Sequence, residues 1–107
     1  MADKAERALF GLEPETLRRL CGVLRSESAV DKVILYGSRA TGTFQNGSDI
    51  DVTLVGFGLT DDDLRRLLVQ VDDLLLPYKV DLSIWAHIDN PALLDHIRRV
   101  GVEICDQ

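Results

Sequence analysis

Three aspartates stand where strands are expected. Asp49 and Asp51 lie in the segment Asp49-Ile50-Asp51-Val52-Thr53-Leu54-Val55, and Asp81 lies between Lys79 and Trp85. Aspartate is disfavoured inside strands. Side chains alternate across a strand, so Asp49, Asp51 and Thr53 share one face while Ile50, Val52 and Leu54 take the other. If the third strand pairs beside the second, Asp81 joins them. Like charges that close destabilise a sheet, and a local rule broken in this way marks a functional site. Hard divalent cations with oxygen ligands, Mg²⁺ above all or Mn²⁺, are the natural neutraliser. The plain alternative is three independent surface aspartates on an open sheet face.

A second feature precedes them. Gly37-Ser38 ends the apolar run Val33-Ile34-Leu35-Tyr36. Glycine lets a backbone turn sharply and approach a ligand closely. If Ser38-Arg39-Ala40-Thr41 opens a short helix, its free N–H groups and the serine hydroxyl would cradle phosphates, and Gly42 would end it. Alone, such a turn is a plain connection more often than a site. Here it is followed, after ten residues, by Asp49-Ile50-Asp51.

The elements that must position these residues are readable from periodicity. Leu17, Leu20 and Leu24 have helical spacing behind Pro14, a first-turn residue. Val33–Tyr36 reads as a buried strand. Thr60 suits a helix N-cap, with Asp61, Asp62 and Asp63 where the helix dipole favours negative charge. Leu64, Leu67, Leu68, Val71, Leu74 and Leu75 trace one apolar stripe, which Pro77 stops. A third strand from Lys79 to Trp85 puts Val80, Leu82 and Ile84 opposite Asp81, Ser83 and Trp85. Asn90-Pro91 starts a last helix with Leu93, Leu94, Ile97 and Val100 as its stripe and Gly101 as its stop, and a short strand is placed around Val102–Cys105. The order α-β-(small helix)-β-α-β-α is an α/β sandwich: a mixed sheet with helices packed mainly on one face, and the aspartates on the other.

Composition bounds the rest. The chain has 107 residues, 46% hydrophobic and 28% charged, and a net charge of −6. That suits a single domain over 1–107, folding of which removes roughly 60–70% of the unfolded surface from water. No surplus of cations exists to neutralise phosphates, so direct nucleic-acid binding is not expected. Apolar runs are too short for a membrane span, and the mixed-charge Met1-Ala2-Asp3-Lys4-Ala5-Glu6-Arg7 is unlike a signal peptide. Cys21 and Cys105 make no disulfide framework, so a reducing cytoplasm is expected.

Gly37-Ser38-Arg39-Ala40-Thr41-Gly42, Asn46-Gly47-Ser48-Asp49-Ile50-Asp51 and Val80-Asp81-Leu82-Ser83 resemble the DNA-polymerase-β-like nucleotidyltransferase superfamily, and specifically its minimal nucleotidyltransferase (MNT, MntA-like) branch. The resemblance runs from about Lys32 onward, within a core of about residues 30–105, and the first thirty residues are less distinctive. Thr41 departs from it, standing where many relatives carry a basic residue. The resemblance implies a polymerase-β palm-like fold. It implies that Gly37 and Ser38, with Arg39 and Ser48, hold the triphosphate of ATP, that Asp49 and Asp51 bind Mg²⁺, and that Asp81 is the third carboxylate, all three being catalytic. It further implies a helical HEPT/HEPN-type partner from a neighbouring gene. The chain, as antitoxin in a hetero-oligomer, would transfer AMP to a tyrosine of that partner. A non-catalytic antitoxin acting by occlusion and a small-molecule (antibiotic) nucleotidyltransferase are the alternatives. The acidic chain suits docking on a basic ribonuclease.

Other residues are read as scaffold. Asp61-Asp62-Asp63 is a helix-start cluster, His87 and His96 lack any partner spacing and are structural or exposed, and Arg98-Arg99 favours a helix C-terminus. Arg39 is left between a phosphate contact and a solvated side chain, and Trp85 between base stacking and packing.

Overall fold

The computed structural model describes residues 10–105; the mixed-charge amino terminus and the last two residues lie outside them. The elements are α1 (Pro14–Leu24), β1 (Lys32–Tyr36), α2 (Ser38–Thr41), β2 (Ile50–Val55), α3 (Asp61–Asp72), β3 (Val80–Ile84), a 3₁₀ turn (Trp85–His87), α4 (Pro91–Val100) and β4 (Val102–Ile104). The four strands form one mixed sheet in the order β3-β2-β1-β4. β1 runs antiparallel to β2 and β4, and β2 runs parallel to β3.

Period-two alternation sorts the sheet into two faces. Val33, Leu35, Ile50, Val52, Leu54, Leu82 and Ile84 are buried, and with Leu20 and Leu24 of α1 and Leu67 and Val71 of α3 they make the main core. Both longer helices therefore lie on this face. α4 lies on the opposite face: its His96 ring meets Tyr36, and a side chain added at Gly101 would strike Ile34. The expected architecture holds, with α4 covering part of the face that carries the aspartates.

Helix ends follow their local chemistry. Pro14 sits in the first turn of α1. Thr60 and Asp63 form a capping box at α3, the Thr60 hydroxyl accepting the Asp63 N–H and the Asp63 carboxylate accepting the Thr60 N–H. The Asn90 side chain caps α4 through the Ala92 and Leu93 amides. α3 ends earlier than its stripe suggested, at Asp72. Leu75 turns into the left-handed region (φ 55°), which no continuing helix allows, so Leu75 stays 85% exposed and Pro77 stands beyond the stop. Strand ends also move, Lys79 and Cys105 falling just outside β3 and β4. Asp49 precedes β2, and Trp85 leaves β3 to begin the 3₁₀ turn.

The cysteines require a correction. Cys21 on α1 and Cys105 after β4 are joined in a disulfide across 84 residues, their Cα atoms 5.2 Å apart. Nothing in the sequence brings them together; the tertiary fold does, by setting α1 beside the end of β4. No helix among the described residues is long and apolar enough to cross a membrane.

Candidate functional site

The strand registers bring three side chains into one row. Tyr36 is opposite Asp51 across β1–β2, and Asp81 is beside Asp51 across β2–β3. Asp49 sits two residues before Asp51, at the entry to β2. The next row on this face holds Thr53 and Ser83. The Ser83 hydroxyl lies 3.0 Å from the Thr53 hydroxyl, and Thr53 is fully buried. A hydroxyl layer thus underlies the carboxylates, while Asp49 and Asp81 are exposed and Asp51 is half-buried.

Burial raises the Asp51 carboxyl above the ordinary carboxylate range, the charges of Asp81 and Asp49 raise it further, and His96 works against them. Burial also raises the Tyr36 phenol; a side-chain hydrogen bond with Ser83 opposes this, and the Asp81 and Asp51 charges add to it. Negative charge is therefore crowded at this end of the sheet. Among the described residues no three carboxylate, imidazole or thiol groups converge closely enough to chelate a metal outright. The donor chemistry nonetheless fits a hard cation. The oxygens are carboxylates, the charges of Asp81 and Asp49 disfavour ionisation of Asp51, and the two outer ones are exposed side chains.

Gly37 joins β1 to α2 and packs directly on this cluster. Its φ of 75° is a conformation other residues rarely adopt. A Cβ built there would lie 2.3 Å from Asp51 Oδ2, so the turn rests against the carboxylate itself. The Gly37 carbonyl accepts the Ala40 and Thr41 amides, opening α2, and its N–H donates to His96 Nε2 at 3.2 Å. Ser38 begins α2, and Gly42 caps it. The turn and the carboxylates that the sequence singled out are thus brought together.

Arg39 is not. Only 1% of it is exposed. Its Nη1 donates to the carbonyls of Phe10 (2.9 Å) and Gly11 (3.3 Å), and Nε and Nη2 donate to the Ser48 carbonyl at 3.2 and 3.0 Å. The guanidinium lies between the Phe44 and Tyr78 rings, 5.1 and 4.8 Å from their centroids. The expectation of a phosphate contact or a solvated side chain is corrected: Arg39 is an internal strut tying the segment before α1, the 43–48 loop and Tyr78 together. Ser48 belongs to the same arrangement, its carbonyl receiving Arg39 and its hydroxyl accepting the Gln45 N–H at 2.8 Å.

The sequence reading missed His96 and Tyr36. Alternation from Ile34 could have placed Tyr36 on the Asp51 face. For His96 no local signal exists, because its partner is 59 residues away. Trp85 carries the Arg98 guanidinium 5.5 Å from its ring centroid, which is packing. Asp61–Asp63 is a helix start as read, with His87 Nδ1 3.1 Å from Asp61.

Comparison with known proteins agrees with this geometry. The family model described as polymerase beta, nucleotidyltransferase matches residues 19–107. No curated protein sequence matches significantly. Among solved structures, a chain of a toxin–antitoxin crystal structure with AMP-PNP is 22% identical with a TM-score of 0.66, over 80% of this chain and 69% of that one. A chain from the complex of tri-AMPylated HEPN toxin of Shewanella oneidensis with MNT antitoxin is 18% identical (TM-score 0.62, 83% and 68% covered). One from the toxin–antitoxin MntA-HepT is 17% identical (0.63, 85% and 70%). At these identities the likeness speaks for the fold. The family match spans most of the chain and contains the glycine turn and all three aspartates, so this chain belongs to the polymerase beta nucleotidyltransferase family.

Proposed function

We propose that the chain transfers AMP from Mg-ATP to a tyrosine hydroxyl of a helical HEPT/HEPN-type partner, and so acts as the antitoxin of a toxin–antitoxin pair. The observation that carries the reading is the packing of Gly37 against Asp51 in one row with Asp81. A seat for phosphates and a carboxylate cluster then share one end of the sheet. The toxin–antitoxin complexes of similar fold, one with AMP-PNP and one with an AMPylated toxin, support the nucleotide and the acceptor class. The use of ATP supports a cytoplasmic setting for this reading, whereas the Cys21–Cys105 disulfide does not.

Asp49, Asp51 and Asp81 would hold Mg²⁺. When bound, the metal would stabilise charge on the attacking and leaving oxygens of an in-line displacement. The protein's own groups do the rest. Gly37 and Ser38 seat the triphosphate, with Ser48 of the 43–48 loop as a further contact to it, and Asp81, exposed at the sheet end, accepts the proton of the incoming hydroxyl. A bond forms between that oxygen and the α-phosphorus, the α–β anhydride breaks, and pyrophosphate leaves.

The test is mass spectrometry of the helical partner after incubation with ATP, Mg²⁺ and either wild type or Asp81→Asn, with a pull-down of both. The expected result is an AMP-sized mass gain with wild type, a rate about 10²–10⁴-fold lower with Asp81→Asn, and partner binding by both. Equal neutralisation by both proteins with no mass gain would mean occlusion. Transfer to a small molecule and never to the partner would also refute the reading.

A further inference from the structure

His96 belongs to α4, yet its Nε2 accepts the N–H of Gly37 on the far side of the sequence. An amide only donates, so Nε2 is the acceptor of this bond. A second contact orients the ring, which meets Tyr36 edge-on with centroids 6.2 Å apart and planes at 79°. Tyr36 in turn faces Asp51 across the ladder. The turn so held has no slack on its inner side, where a single added carbon would lie 2.3 Å from Asp51 Oδ2. The carboxylate blocks movement inward, and the imidazole restrains movement outward.

Resting on the nucleotidyltransferase reading above, we propose that His96 is a positioning residue: it holds the Gly37-Ser38 turn at a fixed distance from Asp51, so that phosphates seated on the turn stay aligned with the carboxylate cluster. Misplacement by about 1 Å at such a site costs on the order of 100-fold in rate. A ring that merely filled space would need only its volume. A ring that positions the turn needs its acceptor nitrogen.

The substitutions follow from that difference. His96→Leu keeps bulk and removes the acceptor, while His96→Gln offers Oε1 at similar reach. His96→Asn, too short to reach the Gly37 amide, replaces His96→Leu if the leucine variant does not fold. Hydrogen exchange at the Gly37 amide is measured together with kcat and KM for ATP, with Mg²⁺ and the helical partner as acceptor. In His96→Leu, Gly37 exchange should quicken and kcat/KM should fall about 10–100-fold. The loss should fall on kcat and kcat/KM alike, as expected when alignment in the transition state is lost, after kcat is corrected for the folded fraction read by circular dichroism. His96→Gln should recover most of it. Unchanged exchange, faster exchange with unchanged kcat per folded molecule, or a glutamine variant as impaired as leucine would each overturn the proposal. Absence of transfer by wild type would instead overturn the underlying reading, is visible without any variant, and would remove this inference with it.

Discussion

The two faces of the sheet are built from the same strands and obey opposite rules. Toward α1 and α3, Val33, Leu35, Ile50, Val52, Leu54, Leu82 and Ile84 are all buried and apolar. Toward α4, the same strands present Tyr36, Asp51, Thr53, Asp81 and Ser83. On the first face every neighbour stabilises its neighbours. On the second, Asp51 sits beside Asp81 and close to Asp49, and its carboxyl resists ionisation. The first face supplies the cohesion that lets the second keep charges the fold alone would reject. Fold and chemistry are separated by a single residue step along each strand.

The separation is sharpest at Arg39, which the sequence placed near the phosphates and the structure places inside. Its guanidinium serves three carbonyls and two ring faces. Lysine has no planar fork to replace it and would leave carbonyls unsatisfied. Arg39→Lys should therefore cost about 2–3 kcal/mol of stability by denaturant unfolding, with nucleotide affinity per folded molecule unchanged. Weakened affinity at undiminished stability would return Arg39 to the site. Gly37→Ala strikes the opposite face. The methyl would displace the Asp51 carboxylate, and transfer should fall about 10–100-fold by rate assay. Thr60→Ala removes half of the α3 capping box and should cost about 1 kcal/mol by thermal melting, leaving transfer per folded molecule unaltered. A loss of activity there would mean that the two faces are coupled.

Much of this division was legible beforehand. Alternation in Ile50–Val55 assigned both faces of β2, because strand geometry leaves no other arrangement, and the glycine–aspartate spacing singled out a turn and carboxylates that the fold brings together. Asn90-Pro91 and Thr60 marked helix starts because capping is local chemistry. What escaped was tertiary. The burial of Arg39 depends on carbonyls at Phe10, Gly11 and Ser48, the His96 contact on a helix folded back over the sheet, and the Cys21–Cys105 bond on ends brought together from 84 residues apart. The early end of α3 came from a left-handed leucine that no propensity favours.

The central claim is that the carboxylate row is kept for chemistry at the expense of the fold, and thermal melting of wild type against Asp51→Asn across pH, with and without Mg²⁺, tests it most directly. Because the folded-state value of Asp51 is raised above its ordinary 3.8, the folded protein binds more protons than the unfolded chain in that range. The stabilising contribution of the protonated group is complete below pH 3.8 and is lost as pH rises through the raised value. Asp51→Asn should therefore melt about 1–5 °C above wild type at pH 7, with that advantage vanishing at acid pH. Mg²⁺ should narrow the gap by stabilising wild type alone. A variant that melts lower than wild type at pH 7, with neither protein responding to Mg²⁺, would contradict the claim.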